Sequence, residues 1–294
     1  PRETGPVVWR PVEGWKSGTI LWTAAAAPAS TRGRLLVVAP DGAAKSIPLS
    51  APAAARPAAL GEGVLIPAAD GMLYYIDPKT GAELAEPFAA PYVDGKPMKL
   101  GSIAARDDRT ILLVVGPSLF KIAVGKGKAP RLQEAARLDV AGTPIAELKL
   151  VGTMVIAAAD RELLLIDPEA PKIEAKFPLG DAIDGELAAV GAAALARTRG
   201  GKLHCIEPLG GKLQKRWSAD VPIPPVGPPA TQGRSLWLAA SDGQVQGIQL
   251  SDGAKGPAWQ ARRALAGGPW NVGGQIVVEA ADVSLLLVDP ADGR

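Results

Sequence analysis

The stretch LYYIDPKTG, residues 73–81, places a short apolar run directly before a tight turn. An apolar run that is bounded by turn residues favours a β-strand. Asp, Pro and Gly suit turns because Pro presets φ, Gly tolerates positive φ, and Asp accepts hydrogen bonds from nearby amides. The stretch therefore predicts a strand followed by a turn that sends the chain back alongside it.

Six further stretches share this form. They are LLVVAPDG (35–42), LFKIAVGKG (119–127), LLLIDPEAP (163–171), LHCIEPLGG (203–211), VQGIQLSDG (245–253) and LLLVDPADG (285–293). The residue that opens the turn recurs at intervals of 38, 46, 44, 40, 42 and 40 residues. Their average of about 42 residues is the period of a four-stranded β-propeller blade. The sequence therefore predicts an all-β fold, a seven-bladed β-propeller of four-stranded antiparallel blades, as a single domain over residues 1–294.

A second marker stands seven residues before four of these turns. It is an Asp that ends a run of small residues, at Asp70, Asp160, Asp242 and Asp282. The constant spacing indicates one rigid unit, a hairpin and a strand, that is copied along the chain. In the second repeat we expect the four strands near RPAAL (56–60), GVLIPAA (63–69), MLYYID (72–77) and AELAEPF (82–88).

The last repeat provides three strands, near residues 268–274, 275–280 and 284–289, but no outer strand. The N-terminal PVVWR, Pro6 to Arg10, has the apolar character and the Trp of an outer strand. We therefore expect the N-terminal strand to complete the last blade, which would close the ring and leave no open edge.

Composition excludes several classes of protein. The chain has 32 basic and 30 acidic residues and no stretch that concentrates Lys and Arg, which argues against a nucleic-acid partner. It contains no run of about 18 apolar residues, so we predict no transmembrane segment. It begins PRETGPVVWR without Met or a signal peptide, from which we expect a processed protein or a domain of a longer one.

The stretch GMLYYIDPKTGAEL, residues 71–84, resembles the PQQ-like (quinoprotein-like) propeller repeat. The matching residues are Asp70, Gly71, Tyr75, Asp77, Thr80 and Gly81, with outer-strand Trp candidates at Trp9, Trp217 and Trp259. The resemblance implies a propeller of the non-enzymatic scaffold type, similar to the propeller lipoprotein of the outer-membrane β-barrel assembly machinery. It also implies a bacterial periplasm or cell-envelope location. That lipoprotein family has eight blades, so its partner-binding residues cannot be transferred.

We predict no cofactor, no metal site and no catalytic residue. Quinoprotein dehydrogenases hold their quinone with a dedicated calcium site, and many carry a vicinal disulfide that one cysteine cannot form. The only histidine, His204, lies beside Cys205, whereas zinc needs three or four protein ligands. The acidic turns lack the further oxygen ligands and the distal Glu of a calcium loop, so we interpret them as turns.

A partner-binding rim is expected where loops depart from the repeat. The long connections are EPFAAPYVDGKPM (86–98) and SADVPIPPVGPPA (218–230). The candidate rim residues are Phe88, Tyr92, Pro222, Pro224, Pro225, Trp15 and Trp270. The alternative is that Trp15 and Trp270 pack between blades and that the prolines only fix the loops.

The sequence favours a non-enzymatic propeller scaffold for a protein or peptide partner, in bacterial envelope assembly. One alternative is a ligand-sensing domain of a larger receptor or kinase, with a small molecule over the axial channel. The second alternative is a quinone- or metal-dependent enzyme that uses the same channel.

Overall fold

The computed structural model describes residues 10–11, 20–25, 31–39, 43–127, 129–140, 145–221, 225–272 and 274–289. Every regular element in this part of the chain is a β-strand. Consequently, no helix that could cross a membrane occurs among these residues. The chain divides into two compact units, Pro1–Ala157 with Ile166–Ile173, and Ala158–Leu165 with Glu174–Arg294.

The strands up to residue 167 are β1 (Arg10–Pro11), β2 (Ile20–Ala25), β3 (Gly33–Val38), β4 (Ala44–Leu49), β5 (Ala58–Leu60), β6 (Gly63–Pro67), β7 (Met72–Ile76), β8 (Glu83–Ala89), β9 (Tyr92–Val93), β10 (Lys96–Pro97), β11 (Leu100–Ala105), β12 (Thr110–Val115), β13 (Ser118–Val124), β14 (Leu132–Asp139), β15 (Glu147–Val151), β16 (Met154–Ala159) and β17 (Glu162–Asp167). The later strands are β18 (Lys172–Pro178), β19 (Ala188–Val190), β20 (Ala193–Arg197), β21 (Lys202–Leu209), β22 (Lys212–Asp220), β23 (Ala230–Gln232), β24 (Ser235–Ala239), β25 (Gln244–Gln249), β26 (Lys255–Gln260), β27 (Leu265–Val272), β28 (Gln275–Ala280) and β29 (Leu285–Val288).

These strands form antiparallel sheets in which each strand pairs with the next one along the chain. Four-stranded sheets are formed by β1–β4, β5–β8, β11–β14, β15–β18, β19–β22 and β23–β26. The strands β27–β29 form a three-stranded sheet, and β9 pairs with β10 in a separate hairpin. The all-β prediction is confirmed, and β5–β8 coincide with the four strands expected in the second repeat.

The core of the first unit is built from side chains that alternate across these sheets. Its large cluster includes Leu65, Leu73, Leu113 and Phe120, which are all fully buried. Each such side chain stabilises the fold by about 1.5–3 kcal/mol relative to an exposed position. Because β6 is buried along its whole length, it requires an uninterrupted apolar run, VLIP after Gly63, rather than polar alternation.

Two clusters contribute to the core of the second unit. One contains Leu195, Cys205, Trp217, Leu236 and Ile248. The other joins β23–β26 to β27–β29 and contains Trp237, Val245, Ile276, Val278 and Val288. Trp217, an expected outer-strand Trp, also donates a hydrogen bond from Nε1 to the carbonyl of Leu250 at 2.9 Å.

The recurrent Asp residues shape the turns. Asp70, Asp242 and Asp282 each accept a hydrogen bond from the backbone N–H two residues later, at 3.0, 3.0 and 3.2 Å. Asp77 accepts hydrogen bonds from the Lys79 N–H and the Thr80 hydroxyl, both at 2.8 Å. These carboxylates therefore replace the missing backbone partners of tight turns, which explains why the repeat fixes their spacing.

The N-terminal end differs from expectation at Arg10. This residue was expected at the end of the closing strand, whereas it pairs with Thr23 of β2 as part of the first sheet. The other residues of the expected closing strand, 6–9, lie outside the described residues. Among the described residues, β29 has β28 on one side and no strand on the other.

Candidate functional site

A short hairpin, β9–β10, interrupts the connection between β8 and β11. Its turn residues, Asp94 and Gly95, both have positive φ angles of 51° and 74°. Two such residues form a type I′ turn, whose twist matches that of the paired strands. The pairing sets Tyr92 opposite Pro97 and Val93 opposite Lys96. The hairpin therefore has a defined backbone shape.

One hydrogen bond and two close packing contacts hold the hairpin and its flanking residues on the turns at Gly71 and Gly116. The Ala90 N–H donates to the Gly71 carbonyl at 2.9 Å, at the start of the connection. A Cβ atom on Gly71 would lie 2.4 Å from Cβ of Pro97, so only glycine allows this approach. The end of the Met98 side chain packs on the second turn, since a Cβ atom on Gly116 would lie 2.5 Å from Cε of Met98. The base of the hairpin is thus closely packed against these two turns of the first unit.

The hairpin presents apolar side chains to solvent. Tyr92 is 67% exposed and Val93 is 54% exposed, although both are large and hydrophobic. Gly71 and Gly116 lie in turns between the second and third strands of their sheets. In an antiparallel sheet of four sequential strands, these turns and the exit of the fourth strand lie at the same end. The hairpin therefore extends from one end of the sheets.

The other rim residues have different environments. Phe88 is 9% exposed, and its ring packs on Phe120 with the ring centroids 5.9 Å apart. Phe88 thus contributes to the core and leaves little ring surface for a partner. Pro225 is half-buried and lies in an isolated bridge with Ala240. The remaining rim residues of the N-terminal and proline-rich segments, Trp15, Pro222 and Pro224, lie outside the described residues.

Trp270 belongs to a largely apolar face of the sheet β27–β29, on which Gln275 and Glu279 are the polar members. It is 42% exposed, and the register places Trp270 beside Val277 and Val277 beside Leu287. Leu285 and Val272 follow on the same face by alternation along their strands. Leu285 and Leu287 are 65% and 60% exposed. The rim prediction included Trp270 but missed the other members, although the alternation of SLLLVD provided a signal for Leu285 and Leu287.

His204 and Cys205 occupy opposite faces of β21, as alternation predicts. Cys205 lies in the core, where burial raises the pKa of its thiol to about 11. A reactive thiolate is therefore scarce at neutral pH. His204 is also buried, and burial lowers the pKa of its imidazole below the ordinary value, with Lys215 and Lys202 adding to the effect.

One small cleft lies in the second unit, with a volume of about 120 Å³. Its lining includes Gln246, whose Nε2 donates to the carbonyls of Gly247 and Gly256 at 2.7 and 3.0 Å. Ligand pockets have volumes of about 300–1,000 Å³, so this cleft is too small for a drug-sized molecule. Within the described ranges, no group of three or more His, Cys, Asp or Glu is positioned to hold a metal ion.

Comparison with known proteins connects this architecture to propellers. Residues 159–294 match the family described as outer membrane protein assembly factor BamB. No curated protein matches the sequence. BamB from Moraxella catarrhalis superposes with a TM-score of 0.64 at 15% identity, covering 92% of this chain and 81% of that chain.

Two further solved structures show the same fold. The C-terminal WD40 domain of Sif2 has a TM-score of 0.68 at 15% identity, covering 96% of this chain and 80% of its own. Saccharomyces cerevisiae Sqt1 has a TM-score of 0.76 at 8% identity, covering 100% of this chain and 85% of its own. The family match and the structural match to BamB show that this chain is similar to PQQ-like β-propellers.

Proposed function

We propose that this protein is a non-enzymatic propeller scaffold that binds a protein or a peptide partner. The observation that carries the proposal is the hairpin β9–β10, which holds Tyr92 and Val93 in solvent on a closely packed base. An exposed aromatic side chain on a defined backbone gives contact area at a low entropic cost of binding. These properties suit recognition of another macromolecule.

We extend the proposal to envelope assembly, with the protein in the bacterial periplasm or cell envelope. The support is the match of residues 159–294 to a family described as outer membrane protein assembly factor BamB. Propellers host many unrelated functions, so the likeness of fold to BamB does not by itself transfer a partner. The partner must therefore be identified by an experiment that reports what contacts the hairpin β9–β10.

We also propose that the chain forms seven blades and that the N-terminal strand completes the last one. The described strands give six four-stranded sheets and one three-stranded sheet, which supports this count. The exposed side chains of Leu285 and Leu287 on β29 support a missing strand beside it. Since Arg10 pairs with Thr23, the closing strand would consist of the residues before it, Pro6 to Trp9.

Site-specific photo-crosslinking tests the binding role. A crosslinking amino acid at position 92 should form a defined adduct with one partner in bacterial cells. The matched control is position 209, because Leu209 is also an exposed apolar residue but lies at the end of β21, beside the turn that leads to β22. The double variant Tyr92→Ser, Val93→Ser should abolish partner capture and leave the melting temperature nearly unchanged, since surface substitutions usually alter stability by less than about 0.5 kcal/mol.

Two outcomes would contradict this proposal. One is the same set of adducts from positions 92 and 209, which would indicate non-specific contact. The other is stoichiometric calcium with quinone absorbance in the purified protein, which would favour an enzyme.

A further inference from the structure

The buried imidazole of His204 has no partner in its sheet. The side chain is 7% exposed, and neither Nδ1 nor Nε2 has a hydrogen-bond partner among the described residues. Buried polar atoms in proteins are hydrogen-bonded in the large majority of cases. When a polar ring is buried without hydrogen-bond partners, its neutral form is much more stable than its charged form.

The neighbours of His204 also oppose a positive charge. Its paired residue on β20 is Ala196, which is fully buried and apolar. Its paired residue on β22 is Ser218, which carries no charge. The charged groups that act on the ring are Lys215 on β22 and Lys202 on its own strand, and both are cations, although Asp220 pairs with Lys202 at 3.0 Å and offsets part of its charge. Burial is the largest cause of a lowered pKa for His204, and Lys215 is the next. A proton on the ring would therefore place a positive charge in a buried site that lies near the cation of Lys215.

We propose that His204 is an acid-sensitive switch in the sheet β19–β22. The sheet is stable while the imidazole is neutral and is destabilised when mild acid protonates the ring. Above pH 6.5, the ordinary pKa, the imidazole is neutral in both the folded and the unfolded chain. As the pH falls below 6.5, the unfolded chain takes up a proton that the folded chain resists. Stability is therefore lost between pH 6.5 and the lower pKa of the folded state.

Proton NMR tests the switch directly because the chain has one histidine, so its imidazole titration can be followed without overlap. The single imidazole Hε1 resonance should titrate with a midpoint below 6.5, or should keep the chemical shift of a neutral ring until the sheet opens. A midpoint at or above 6.5 would overturn the proposal, since it would mean that the ring is solvated or paired with an acid.

Variants give an independent readout. Lys215→Gln should raise the titration midpoint, whereas Lys212→Gln, an exposed lysine on the same strand, should leave it unchanged. Between pH 7 and pH 5, the melting temperature of the wild type should fall by about 2–4 °C more than that of His204→Gln. An unchanged titration midpoint in Lys215→Gln would contradict the switch. Equal falls in melting temperature for the wild type and His204→Gln would contradict it as well.

Discussion

The sheets β23–β26 and β27–β29 share one hydrophobic core, yet their third strands have different environments. In β25, Val245 and Ile248 are fully buried, and β26 pairs along the outer edge. In β29, Leu285 and Leu287 are mostly exposed, and no described strand pairs with that edge. The more apolar of the two strands, LLLV in β29 against QVQGIQ in β25, is therefore the more exposed one. Their difference shows that burial depends on completion of the sheet as well as on the sequence of the strand.

The two faces of the sheet β27–β29 also have different environments. Ile276, Val278 and Val288 point into the shared core, whereas Trp270 and Leu287 point to the opposite side. An apolar face of this kind is unusual on a complete propeller, in which sheets pack against one another. The proposed N-terminal strand would pair with the open edge of β29 and not with this face, so the unpaired edge is the sign that the repeat is incomplete.

The largest expected effect is at Trp237, which joins the two sheets. Trp237 is fully buried in the shared core, so Trp237→Ala should lower the free energy of unfolding by about 3–5 kcal/mol. The control is Trp270→Ala on the exposed face, with an expected loss near 0.5 kcal/mol. Urea denaturation measures both. Equal losses would mean that the face of Trp270 is buried in solution, and the contrast between the faces would be wrong.

A smaller effect is expected at the turns between second and third strands. Asp282 in the last sheet accepts hydrogen bonds from the Ser284 hydroxyl and N–H and pairs with Arg263. The Ser284 hydroxyl is the largest cause that lowers the pKa of Asp282. Asp282→Ala should lower the melting temperature by no more than about 2 °C at pH 7, because the carboxylate is at the surface.

The pH dependence of this effect follows from the direction of the shift. The contribution of Asp282 is present above the ordinary pKa and is lost as the pH falls through the lowered pKa. The gap between wild type and Asp282→Ala should therefore close in acid. Asp242→Ala, in the equivalent turn of β23–β26, provides the matched comparison because Asp242 accepts the same type of backbone hydrogen bond. A gap that widens in acid would exclude the proposed role of the carboxylate.

Most of the strand pattern could be predicted from the sequence because the repeat has a fixed turn chemistry. The environment of Phe88 could not, since β7 and β8 pair with two register shifts and the burial of β8 follows a period of three instead of two. Simple alternation therefore does not predict on which face of the sheet the Phe88 side chain lies. The hairpin β9–β10 was not predicted, although two residues such as Asp94 and Gly95 between short strands favour a type I′ turn.

The apolar face was only partly predictable for a related reason. Leu285 and Leu287 follow from alternation in SLLLVD, but the strand β27 contains irregular register between Leu265 and Trp270. The exposure of these side chains depends on which segments cover the sheet, and strand periodicity carries no information about such distant coverage.

Hydrogen exchange at β29 tests the completed repeat most directly. If residues 6–9 pair with β29, its amides that point away from β28 should exchange as slowly as the paired amides of β25 in the intact protein. Deletion of residues 1–9 should make them exchange rapidly, while removal of Gly293 and Arg294 should have no effect. Rapid exchange of these amides in the intact protein would contradict closure of the ring by the N-terminal strand.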